Sequence, residues 1–120
     1  MPRGSRSLIH DSRKYLWDAR NGVDTVLRYI DGKTLAEYEA DGFLRDAVER
    51  RLLIIGEAIA QLARHDAALA ERIPDYRNII AFRNILVHGY AAIDNTLVWR
   101  ILQNRMTNLR AALDDLPGGA

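Results

Sequence analysis

Apolar residues recur at three- and four-residue intervals over three long stretches of this chain, and no stretch alternates apolar with polar residues as a half-buried strand would. That spacing puts them on single faces of helices, so the chain is constrained to bury helix stripes against one another. The first stripe is Leu16, Ala19, Val23, Val26, Leu27 and Ile30, in a helix expected from Leu8 to Ile30. The second is Leu44, Val48, Leu52, Ile55, Ile59 and Leu62, in a helix from Phe43 to Arg64. The last is a periodic face of Val98, Ile101, Leu102, Leu109, Ala112, Leu113 and Leu116, with the charged Arg105 falling on it, in a helix opened by Asp94 or Asn95. Between them, Asp31-Gly32 stops the first helix, and Thr34 with Glu37 reads as a capping box for a short helix from Leu35 to Ala40. Asp41-Gly42 punctuates again, and Gly56 inside the second helix can admit a closely packed neighbour. The Ala-rich connection, 65–73, is expected to hold an extra turn. Pro74 suits the first turn of a third long helix, Asp75 to His88, which Gly89 ends. The expectation is an all-α, antiparallel four-to-five-helix bundle over residues 8–116, with flexible ends at 1–7 and 117–120.

Composition narrows the function classes. A length of 120 residues suits one domain, and 48% hydrophobic residues suffice for a packed core. Lys plus Arg total 17 against 16 Asp plus Glu. That balance argues against nucleic-acid binding through bulk charge, though not against a local basic groove. Lys14 and Lys33 are the only lysines, so arginine supplies nearly all the cations. The chain has no cysteine, which excludes disulfides, thiolate metal sites and cysteine nucleophiles. Residues 1–7 are basic and polar with no apolar stretch behind them, unlike a signal peptide. No apolar run approaches the roughly 18 residues of a membrane span. A cytoplasmic location is expected.

The segment from Arg83 to Tyr90, R-N-I-L-V-H-G-Y, gathers a guanidinium, an imidazole and a phenol near a helix end. Arginine's planar fork matches phosphate oxygens. Histidine moves protons near neutral pH. Asn84 and His88 are four apart and share a helix face, whereas Arg83 and His88 point roughly 140° from each other. A single helix therefore does not aim both at one phosphate. A second copy across a two-fold axis would bring two arginines and two histidines to one cleft. There, His88 can act as base or acid on RNA, whose own 2′-hydroxyl is the nucleophile, while Arg83 stabilises phosphoryl charge. Asn84 can orient the imidazole or touch substrate, and Tyr90 can bond a phosphate or stack on a base. The same residues also admit a purely structural reading: His88 as a charge at a helix C-terminus, Arg83 paired with Glu57 or Asp94, and Tyr90 in the core. Glu57, within L-L-I-I-G-E-A-I-A, fits either a solvated edge or a partner for an arginine. Trp17 and Trp99 read as core or interface residues, and the D-A-R-N-G run, Asp18 to Gly22, as a solvated face. His10 and His65 have no metal-ligand spacing with His88, and no phosphate-binding glycine loop is present.

The segment I-I-A-F-R-N-I-L-V-H-G-Y-A-A-I-D, Ile79 to Asp94, closely resembles the signature of the HepT-like group of HEPN domains. Its pattern is Arg, any four residues, His, any one, Tyr, and Arg83, His88 and Tyr90 fill it without a gap. I-I-G-E-A on the second helix, the Pro before the third helix and V-W after Asp94 also resemble that group. The resemblance implies a dimeric helical bundle of the HEPN type acting as a metal-independent endoribonuclease toxin, of a type II or type VII-like toxin–antitoxin pair. It implies catalytic roles for Arg83 and His88, supporting or RNA-binding roles for Asn84 and Tyr90, and no cofactor or metal. It also implies an MntA-type nucleotidyltransferase antitoxin that adds AMP to Tyr90; the added phosphate would block and repel an RNA backbone. Gly89 departs from the pattern, in that a larger residue often stands there. The alternative is a non-catalytic nucleotide-binding or scaffold subunit that assists a minimal nucleotidyltransferase.

Overall fold

The computed structural model describes residues 2–89 and 93–116. Its described residues form seven helices and no strand: α1 Pro2–Ile30, α2 Leu35–Ala40, α3 Gly42–His65, α4 Ala67–Ala70, α5 Tyr76–His88, α6 Asn95–Asn104 and α7 Met106–Asp114. The all-α expectation holds. None of these helices is long and apolar enough to cross a membrane.

α1 and α3 form the spine and run antiparallel: Tyr15 stacks on His65 with ring centroids 5.4 Å apart, and Gly22 lies on Ile55. A Cβ at Gly22 would meet Ile55 Cγ1 at 2.7 Å, so a hydrogen at this position lets the two backbones close. The Asp18–Gly22 run is therefore no simple solvated face, because Ala19 and Gly22 are buried against α3. The stripes of α1 and α3 interlock: Leu16, Val23 and Val26 bury against the same core as Val48, Ile55, Ile59 and Leu62. α5 folds back along α3, and α7 covers α1, fastened at its rim by Arg110 to Asp24 and by Arg20 to Asp114 (2.8 Å). α6 packs on α2 through Tyr38 and Trp99, whose rings lie 5.4 Å apart.

Local chemistry sets most boundaries. Thr34 and Glu37 cap α2 reciprocally, as their spacing requires. Asp41, Asp66 and Asp94 each accept a backbone N–H in the first turn of α3, α4 and α6. Gly32, at φ +72°, lets the chain leave α1. Three boundaries differ from expectation. α1 starts at Pro2 rather than Leu8, because helix geometry continues upstream of the apolar stripe that defined the estimate. Pro74 precedes α5 instead of lying in its first turn; Asp75 takes the cap position in a left-handed conformation, and its carboxylate binds Arg105 rather than the helix end. That same Arg105 interrupts the expected single C-terminal helix, dividing it into α6, which packs on α2, and α7, which packs on α1. Trp99 is partly buried in the core, whereas Trp17 is 61% exposed.

Candidate active site

α5 carries the motif, and α3 decides how its arginine is held. Gly56 lies directly under Arg83: a Cβ there would stand 2.4 Å from Arg83 Cβ and 2.9 Å from its Cγ. This close approach is the neighbour that a glycine inside an apolar helix anticipated. It brings the guanidinium onto Glu57, the next residue of α3.

Arg83 is bound on both arms. Nη2 donates to Glu57 Oε2, and Nη1 donates to Asn84 Oδ1 at 2.7 Å. Nε is buried. Behind Glu57, Gln61 Nε2 donates to the other carboxylate oxygen, Oε1, at 3.1 Å. The hydrogen bond from Gln61, followed by that from Arg83, holds the Glu57 carboxyl below the usual carboxylate range. Glu57 remains 44% exposed and Arg83 26% exposed, so the pair sits at the wall of an open groove and not in the core. Of the two partners the sequence offered to Arg83, the structure selects Glu57; Asp94 is occupied as the cap of α6.

That groove, about 360 Å³, lies between α1, α3 and α5. Leu53, Ile54 and Val87 supply apolar lining, and Asp18, Arg50, Gln61 and Arg83 stand among its polar groups.

The outer face of α5 is different. Asn84, Ile85 and His88 are exposed, Ile85 by 54%. His88 occupies the last turn, which Gly89 closes by donating its N–H to the Ile85 carbonyl at 2.7 Å. Gly89 is not left-handed here (φ −112°); a Cβ would meet that carbonyl at 2.9 Å, so closeness and not conformation suits glycine to the position. Among the described residues, Asn84 is tied to Arg83 and not to His88. The structure thus groups Arg83 with Asn84 and Glu57, and leaves His88 facing outward from the same helix. Tyr90, the expected modification site and RNA contact, lies outside the described residues. Among the described residues no cluster of three His, Asp or Glu is arranged to hold a metal ion.

Sequence reasoning did not single out Gln61. The available signal was its i,i+4 spacing from Glu57, which puts amide and carboxylate on one face of α3.

A family model described as "Ribonuclease HepT-like" matches residues 20–116. The chain belongs to the HepT-like ribonuclease family. A Methanocaldococcus jannaschii protein named "Gamma-glutamylcyclotransferase and putative RNase" is 30% identical over 83% of this chain. The chain spans only 45% of that relative's length. A second protein of the same organism, also named as an RNase of that kind, is 26% identical over 87% of this chain and 94% of its own length. The protein named "Probable ribonuclease HepT" of Thermococcus cleftensis is 24% identical, over 87% of this chain and 94% of its own. No solved structure matches significantly. The match to this HepT-like family spans α3 and α5, the two helices that build the Arg83 site.

Proposed function

We propose that this HepT-like chain is a metal-independent endoribonuclease whose working unit is a homodimer, with His88 and Arg83 as its catalytic residues. The observation that carries this reading is the disposition of α5. Arg83 is held beside the groove by Glu57 and Asn84, while His88 is exposed on the outer face of the same helix. An imidazole must be accessible to move a proton, and an arginine must be oriented to grip a phosphoryl group. The roughly 140° between the two positions on the helix is resolved when a second copy supplies the complementary residue. Exposed Ile85, beside Asn84 and His88, and Trp17 on α1 provide apolar area for such a contact.

In this reaction one His88 takes the proton of the RNA 2′-hydroxyl. The 2′ oxygen attacks the adjacent phosphorus, the bond to the 5′ oxygen breaks, and a second imidazole protonates the leaving oxygen. The products are a 2′,3′-cyclic phosphate and a free 5′-hydroxyl. Arg83 stabilises charge on the phosphoryl oxygens, and Asn84 steadies Arg83.

Cellular RNA cleavage makes such a chain a toxin, of a type II or type VII-like pair. Its antitoxin in this reading is an MntA-type nucleotidyltransferase that transfers AMP to Tyr90, two residues beyond His88. The test is RNA cleavage by purified protein in excess chelator, beside His88→Ala. The expected result is cleavage by the wild type and its loss in the variant, which removes only an exposed side chain. Equal RNA loss with both proteins overturns the proposal. Nucleotide binding without RNA cleavage would point to the scaffold role instead.

A further inference from the structure

We infer that Glu57, braced by Gln61, positions the Arg83 guanidinium for phosphate, and that Gly56 is required because it sets α5 close enough for this contact. The inference rests on the ribonuclease reading above and adds two α3 side chains that do not themselves touch substrate.

The hydrogen bonds form one continuous chain. Gln61 Nε2 donates to Glu57 Oε1, Glu57 Oε2 accepts from Arg83 Nη2, and Arg83 Nη1 donates to Asn84 Oδ1. Glu57 and Gln61 are four apart on α3, so the amide fixes the carboxylate before the arginine meets it. The carboxylate in turn fixes one edge of the guanidinium. A guanidinium carries five N–H donors in a rigid plane. The two contacts use one hydrogen from each Nη group, and Nε is buried. Among the described residues nothing else accepts from either Nη, so the second hydrogen on each is left for an oxyanion. The side chain is 26% exposed and lines the groove together with Val87 and Arg50.

A long arginine on a helix surface samples many rotamers, and clamping a phosphate would cost it that freedom. Here the freedom is given up on folding, so the fork is preorganised before RNA arrives. Glu57 accepts from Nη2; it orients the cation without covering all of its donors. The opposite arrangement, in which Glu57 imitates phosphate and must be displaced, predicts the reverse response to its removal.

The experiment has two readouts that fail separately. The first is the kcat and KM of metal-free RNA cleavage for wild type, Glu57→Ala, Glu57→Gln and Gln61→Ala. The expected result for Glu57→Ala is a fall in kcat on the order of tenfold to a hundredfold, larger than any rise in KM. Glu57→Gln, which keeps an acceptor of the same length, should recover much of it, and Gln61→Ala should lose less than Glu57→Ala. The second readout is the NMR signal of the Arg83 side-chain nitrogens, which needs no activity. Hindered, resolved Nη signals are expected in the wild type, collapsing to one averaged signal in Glu57→Ala. Unchanged Arg83 signals, unchanged kcat, or a faster Glu57→Ala or Glu57→Gln enzyme overturns the positioning role. Absence of wild-type cleavage together with an Arg83 signal that depends on Glu57 sinks the nuclease reading and leaves the positioning contact standing.

Discussion

Tyr38 shows what one buried polar atom does to this fold. Its side chain is fully buried on α2 against Trp99, and among the described residues no group pairs with its hydroxyl. Burial, with a smaller contribution from Glu49, pushes its phenol well above the ordinary tyrosine value of about 10. A group whose folded pKa is raised contributes stability that is intact below the unfolded pKa. That contribution disappears as pH climbs past about 10 toward the folded value. The wild type should therefore lose melting temperature above about pH 10 more steeply than Tyr38→Phe. At neutral pH the variant should be equally stable or more stable, since a buried, unpaired hydroxyl costs on the order of 1–3 kcal/mol. Thermal melts of both proteins between pH 7 and about 11 check this. A clearly less stable Tyr38→Phe at neutral pH would mean that the hydroxyl has a partner. At this same scale, the identity of Glu57's partner was open in the sequence. A carboxylate in an apolar stretch fits a solvated edge or an ion pair, and only the position of α5 supplies the arginine.

At the scale of elements, the packing of α5 on α3 decides the site, and Gly56 decides the packing. Replacing a mid-helix glycine by alanine ordinarily gains roughly 1 kcal/mol in helix propensity. Here the new methyl would overlap Arg83 Cβ at 2.4 Å, and overpacking of this kind costs about 1–3 kcal/mol. The clash wins, because the atoms it meets lie at the root of the Arg83 side chain, next to the backbone, and α5 itself must move. Gly56→Ala should lower the melting temperature and displace Arg83 from Glu57, with RNA cleavage falling further than stability does. A variant that melts higher than wild type would show that the helices are not in this contact. Other element-scale features were readable beforehand. The capping box at Thr34 and the Asp94 cap are local hydrogen bonds whose residue spacing is itself the instruction. The break at Arg105 was not readable, because residues on both sides keep helical periodicity; Arg105 at the break binds Asp75, a tertiary partner thirty positions earlier in the chain.

At the scale of the whole molecule, the proposed dimer makes a prediction that no monomeric site makes. Arg83→Ala chains and His88→Ala chains should each be inactive alone. Refolded or expressed together, they should recover a small part of the wild-type cleavage, because a mixed dimer retains one arginine and one histidine in a shared cleft, and a lone imidazole that has taken the 2′-hydroxyl proton can pass it to the leaving oxygen, more slowly than a pair does. Recovery only in co-assembled samples, with light scattering giving twice the chain mass, supports a composite site. Mixtures as inactive as the single variants would confine each site to one chain.

By itself the sequence determined the all-α class, the apolar stripes that became the core, most helix caps, and the segment bearing Arg83, Asn84 and His88. These follow from intervals of a few residues, over which helix geometry is fixed and hydrogen-bond reach is short. Tertiary structure alone decided that Gly56 receives Arg83, that Glu57 and not Asp94 holds it, that Gln61 stands behind that carboxylate, and that Arg105 divides the last helix. Those outcomes depend on which helix faces lie opposite each other. Burial of the complete core sets that arrangement, and no local interval along the chain encodes it.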